Sequence, residues 1–193
     1  MARYAILVID MLKEFVYGKL SCESAKNVIP KIKSLLDEAR ESGVPVIYCN
    51  DAHIPGVDKE LELWGEHAII GSPEAEVVDE LKPMDRDFVV KKRRYSGFFE
   101  TGLDLLLREL NVDSLVLTGI HTHICVQHTA ADAFYRGYRL VIVKDCTAAL
   151  THEDHERAIE YMRKIYGADV VSADEAKNMF KGSCLNKVKS KEG

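Results

Sequence analysis

The chain has 193 residues, enough for one domain with a sizeable core, and 47% of them are hydrophobic, as in ordinary globular proteins. A formal net charge of −5 leaves no basic footprint for nucleic acid, and no apolar run approaches the length that crosses a bilayer. The 5 cysteines, Cys22, Cys49, Cys125, Cys146 and Cys184, are odd in number and widely spaced, which argues against a disulfide framework and for a cytoplasmic setting.

The opening MARYAILVIDML is broken by Asp10 and has no small-residue cleavage site, so 3–9 is predicted as a first strand rather than an export signal. Helical periodicity over 24–43 ends at Gly43, and VPVIYC (44–49) reads as a second strand. A loop-like stretch, 50–72, carries His, Asp, Pro and Gly; a short helix is expected over 73–81, opened by Pro73. Strands follow at 87–91, 114–119, 139–144 and 168–172, separated by helices at 101–110, 125–137 and 152–167. Strand–helix alternation with nearly unbroken apolar strands implies an α/β fold: a three-layer α/β/α arrangement around a six-stranded parallel sheet. One domain over 1–180 is expected, followed by a polar, flexible tail over 181–193.

Ligands of such sheets bind beyond the carboxyl ends of the strands. Asp10, Asp51, His53, Lys92, Cys125 and Asp145 are all predicted at that edge. Singly, each has an ordinary reading: a turn cap, a solvated charge in KKRRY (91–95), a packed cysteine. Together they bring a thiol, a carboxylate and a cation to one region, which is what nucleophilic catalysis by cysteine requires. A helix start and a nearby lysine both favour a thiolate at Cys125. The run GIHTHICVQHTA (119–130) adds His121, His123 and His128 beside that cysteine and raises the alternative of a metal cluster.

Four motifs then stand in order: ILVIDMLKEF (6–15), NDAH (50–53) with LWGEHAIIGSPEAE (63–76), VVKKRRYSGFFETGLDLLLREL (89–110) and LTGIHTHICVQHTAADAFYRGY (117–138). With these the sequence resembles the isochorismatase-like cysteine hydrolases, and within them the nicotinamidases. The resemblance implies a catalytic triad of Asp10, Lys92 and Cys125. Lys92 is selected over Lys91 because it stands four residues before Ser96. It also implies a cis peptide between Ile120 and His121, and an oxyanion hole formed by the backbone N–H groups of His121 and Cys125. Metal ligands Asp51, His53 and His67 match in order, with Glu60 at the spacing of a fourth; zinc is the first expectation, with manganese or iron as alternatives. No organic cofactor is implied. Phe15 and Trp64 match the aromatic residues that hold a nicotinamide ring, with Ile120 and His121 beside the scissile amide. Family members form dimers or larger homo-oligomers, and the same is expected here.

The implied activity is hydrolysis of a small-molecule amide, nicotinamide first, through a thioester. A ureido or carbamoyl substrate such as N-carbamoylsarcosine is the alternative, because an imidazole at 121 replaces the small residue of many nicotinamidases. A non-catalytic binding protein, or a redox protein using Cys125 and Cys146, remains as a reading from another class. HEDH (152–155) fails zincin spacing, since its histidines are three apart.

Overall fold

The structure, a computed structural model, describes the backbone of residues 2–189 and side chains through Lys181. Six parallel strands form its sheet: β1 (Tyr4–Ile9), β2 (Val46–Asp51), β3 (Phe88–Lys92), β4 (Ser114–Ile120), β5 (Arg139–Ala148) and β6 (Asp169–Val171). Their order is β3-β2-β1-β4-β5-β6. The helices are α1 (Lys13–Tyr17), α2 (Ala25–Glu41), α3 (Glu60–Trp64), α4 (Leu103–Glu109), α5 (Gln127–Tyr135), α6 (His152–Ile165) and α7 (Ala173–Lys189).

Both faces of the sheet are covered, which is why β1, β2 and β4 are apolar almost without interruption. Ile6 and Val8 point toward a core that includes Ile32, Leu35 and Leu36 of α2 and Phe180 of α7. Leu7 and Ile9 point the other way, toward Leu103 and Leu107 of α4, Ala130 of α5 and Met162 of α6. The predicted three-layer class is therefore the observed one. The order reverses direction between β1 and β4, and such a switch point opens a crevice at the carboxyl edge.

Several elements differ from the sequence reading. The segment 73–81 is not one helix but two single 3-10 turns, Pro73–Ala75 and Asp79–Leu81. Between them Leu12 and Val77 form an antiparallel bridge, with Lys13 N–H donating to Glu76 O and Val78 N–H donating to Met11 O. Those cross-chain bonds replace the intrahelical ones. The loop 50–72 contains α3, and α1 was not anticipated; both are five residues long. β5 continues through Ala148, so Asp145 lies within a strand. Its carboxylate takes Lys31 Nζ at 3.0 Å and the Ala173 N–H at 2.8 Å, anchoring the start of α7 away from the site. α7 runs to Lys189, across most of the stretch predicted as a tail; residues 190–193 of that tail lie outside the described residues.

Candidate active site

The site begins where β1 ends. Asp10 has a left-handed backbone, φ 51°, which turns the chain out of the sheet. Its Oδ1 accepts the Asp51 N–H at 2.8 Å, pinning the carboxylate across the ends of β1 and β2. Beneath it, β4 comes so close that a Cβ on Gly119 would lie 2.0 Å from Ile9 O, at φ +106°. A side chain there would push β1 and β4 apart. The Ile120–His121 peptide that follows is cis, as the resemblance implied.

Cys125 is reached by a π-helical turn, Thr122–Val126, in which the Val126 N–H donates to His121 O. α5 starts only at Gln127, two residues later than the predicted helix. The thiol is buried at 6% exposure, within 4.8 Å of the Asp10 carboxylate. Lys92, at the last position of β3, is fully buried with them. Its Nζ lies 2.7 Å from Asp10 Oδ2, 2.6 Å from Asp51 Oδ1 and 3.6 Å from Cys125 Sγ.

Burial decides the protonation states. It pushes Asp10 up to about 6, helped by the Asp51 charge and opposed by Lys92. It pushes the Cys125 thiol well above its ordinary value, and Lys92 offsets this only in part. Burial therefore works against the thiolate that the helix start and Lys92 favour, and leaves the proton on sulfur with a carboxylate nearby to take it. Burial would also lower Lys92, but Asp10, Asp51 and Cys125 overcome it and keep the ammonium charged.

Beside this triad stand Asp51, His53, Glu60 and His67, all buried, each offering a ligand-type atom within 4.8 Å of the others. Asp51 ends β2, His53 follows it, Glu60 opens α3, and His67 comes just after that helix. His53 Nδ1 faces Asp58 Oδ2 at 3.2 Å, and His67 Nδ1 faces Gly65 O at 2.8 Å. Those bonds orient the two rings. His53 Nε2 and Glu60 Oε1 are buried without hydrogen-bond partners. Uncompensated polar atoms in such a place are costly, and a cation between them removes the cost. Two carboxylates with two imidazoles suit zinc, manganese or iron. Burial, then the Asp51 charge, raises Glu60 to about 7. Asp58, which the sequence reading did not single out, is itself held by Arg93, whose Nε donates to its Oδ1 at 2.9 Å.

One narrow pocket joins the two clusters. It holds about 370 Å³, counting its open mouth, and its walls include Cys125, Asp51, Glu60, His67, Phe15 and Trp64. Phe15 and His121 are buried in its wall, while Trp64 is 37% exposed and donates from Nε1 to Tyr95 Oη at 3.0 Å. Ile120, expected beside the substrate, is fully buried in the core and is not a wall residue. Tyr95, Leu20, Ile124 and Leu150 complete the wall. Of the other histidines in GIHTHICVQHTA, His128 Nδ1 bonds Ile124 O at 2.8 Å, and the His123 ring lies 6.2 Å from that of His121.

Comparison with known proteins identifies the family. Residues 4–175 match the Isochorismatase domain. The chain is similar to N-carbamoylsarcosine amidase from Thermoplasma acidophilum, with 40% identity and a TM-score of 0.84 over 90% of this chain and 98% of that one. It is similar to nicotinamidase PncA from Bacillus subtilis, with 33% identity and a TM-score of 0.84 over 88% of this chain and 99% of that one. A third structure, pyrazinamidase of Pyrococcus horikoshii in complex with zinc, shares 27% identity and a TM-score of 0.82 over 88% of this chain and 99% of that one. Among the described residues no helix is long and apolar enough to cross a membrane. By the domain match over residues 4–175 and by relatives 30% or more identical along most of its length, the chain belongs to the isochorismatase family.

Proposed function

We propose that the protein is a cysteine-dependent amidase that releases ammonia from a small, uncharged primary amide, nicotinamide first. One observation carries this reading. Cys125 opens into the same aromatic-walled pocket as Asp51, Glu60 and His67 of the four-residue cluster, and no Arg or Lys is among the wall residues. A flat, neutral ring can lie between Phe15 and Trp64; a carboxylated substrate finds no cationic side chain in that wall.

Asp10, ionised above about pH 6, takes the thiol proton of Cys125 as the sulfur attacks the amide carbonyl. The carbonyl oxygen becomes an oxyanion held by the backbone N–H groups of His121 and Cys125, each worth about 3 kcal/mol in such a role. The C–N bond then breaks, and Asp10 passes its proton to the leaving nitrogen, which departs as ammonia. Asp10 next takes a proton from water, whose oxygen attacks the thioester; the C–S bond breaks, and the thiol regains the proton as the acid leaves. Lys92 remains charged throughout and holds Asp10 in place. Asp51, His53, Glu60 and His67 would hold a divalent ion, zinc first, a Lewis acid whose chemistry is to accept a lone pair from the substrate ring.

A second reading, hydrolysis of N-carbamoylsarcosine, is favoured by the 40% identity to the Thermoplasma enzyme. An ammonia-release panel separates the two: nicotinamide, pyrazinamide, N-carbamoylsarcosine and ureidoacrylate, with wild type and Cys125→Ala. The neutral aromatic amides are expected to turn over in wild type and not in the variant, with unfolding unchanged. Preference for the carbamoyl compounds would overturn the substrate, and substantial activity of Cys125→Ala would overturn the nucleophile.

A further inference from the structure

HEDH (152–155) lacks zincin spacing, but the fold gives its last histidine other work. Thr151 caps α6: its Oγ1 accepts the Asp154 N–H at 3.1 Å and donates to Asp154 Oδ2 at 2.6 Å. The helix start is thereby fixed, and the His155 N–H donates to Thr151 O at 3.1 Å. His155, Ala158, Ile159 and Met162 recur at the spacing of one helix face. Ala158, Ile159 and Met162 are buried in the core beneath the sheet. His155 extends that inward face toward the site, and its Nδ1 lies 2.9 Å from Thr122 Oγ1.

Thr122 is fully buried and opens the π-helical turn that carries Cys125. It directly follows His121. Its backbone is tied forward, because Thr122 O accepts the Gln127 N–H at the start of α5. The turn is closed from behind by the N–H groups of Ile124 and Val126, both donating to His121 O. The Thr122–His155 hydrogen bond ties the same turn sideways to α6. His155 itself lines a separate cleft with Ser24, Asn27 and Glu156, and is not among the walls of the catalytic pocket.

We propose that His155 is a positioning residue. Through Thr122 it fixes the turn that presents the Cys125 sulfur, and the N–H groups of His121 and Cys125, to the substrate carbonyl. The inference rests on the amidase reading and adds to it the group that holds the reacting atoms from behind. Small displacements of such atoms slow the chemical step more than they weaken binding.

The test is steady-state ammonia release by metal-reconstituted full chain, on whichever amide of the panel the wild type turns over. Urea unfolding of each variant runs beside it. His155→Leu and Thr122→Val should each lower kcat about tenfold with KM little changed. The double variant should fall no further than either single one, because the same bond is deleted in all three. His155→Asn sets an amide atom as far along the side chain as Nδ1 and should recover most of the loss. His155→Gln, whose amide stands one carbon too far out, should stay impaired, and it keeps the test open if the leucine variant does not fold. A kcat within about twofold of wild type in His155→Leu and His155→Gln, or losses that simply add in the double variant, would overturn this inference and leave the amidase reading intact. If the wild type releases ammonia from no member of the panel, the amidase reading falls and the role of His155 with it.

Discussion

Lys92→Met keeps most of the side chain's bulk and deletes its charge. The ammonium is fully buried, 2.7 Å from Asp10 and 2.6 Å from Asp51. Unit charges at that spacing attract by about 6 kcal/mol at an effective dielectric of 20, but desolvation has already consumed much of this. Removing one member of a buried ion pair costs about 3–5 kcal/mol net. Here two carboxylates lose their partner, and one can recover by binding a proton. Asp10, which sits at about 6 even beside Lys92, is the one that does so. In the variant its folded pKa rises further above the unfolded value. The folded state then holds a proton that the unfolded chain has released, so stability falls as pH rises through that window. Urea unfolding of metal-free wild type and variant at pH 5 and pH 8 reads this directly. The metal-free form is used because a bound cation would take over part of the neutralisation. The expected loss is about 3 kcal/mol at pH 8 and about 1–2 kcal/mol less at pH 5. A loss equal at the two pH values, or below about 1 kcal/mol at pH 8, would refute the claim that Lys92 holds two buried charges.

The base role of Asp10 predicts that kcat/KM falls with unit slope as pH drops below about 6, where the carboxylate holds its own proton. A profile flat through about pH 5 would remove Asp10 from that role. Asp58→Asn should weaken metal binding about 10–100-fold, because Asp58 orients His53. Competition with a chromophoric chelator measures this, and unchanged affinity would show that His53 needs no such support. Gly119→Ala places a methyl 2.0 Å from Ile9 O and should cost about 3 kcal/mol in urea unfolding; a near-neutral result would mean that β1 and β4 separate easily beneath Asp10.

The strands were legible because a sheet covered on both faces demands continuous apolar runs, and β1, β2 and β4 supply them. Asp10, Asp51, Lys92 and Cys125 could be placed together from strand ends alone. The α1 and α3 helices were not legible, since five residues give too little periodicity to recognise. Glu76 and Val78 fall within a helix pattern, but their backbone bonds with Lys13 and Met11 come from 60 or more residues away in the chain, where no local signal reaches. The cluster of Asp51, His53, Glu60 and His67 followed from the family resemblance, which matches those residues in order. Asp58 did not, because a carboxylate five positions after a histidine carries no mark of its role. Tyr95, Leu20 and Leu150 converge on the pocket from three separate loops, which only the folded chain brings together.

The crossing of β1 and β4 has a consequence for how this site changes over generations. Asp10 and the approach to Cys125 are rooted in the two central strands, tied residue by residue from Tyr4 with Ser114 to Ile9 with Gly119. Phe15, Leu20, Trp64, Tyr95 and Leu150 all stand outside the sheet, on short helices and loops. Under the proposed mechanism the reacting atoms thus stand at or just beyond the ends of paired strands, and the surfaces that would meet the rest of the substrate stand on the more replaceable loops. Divergence can rewrite the second without disturbing the first. The similarity of one chain to enzymes named for a nicotinamide and for a carbamoyl amino acid is what such a division of labour leaves behind.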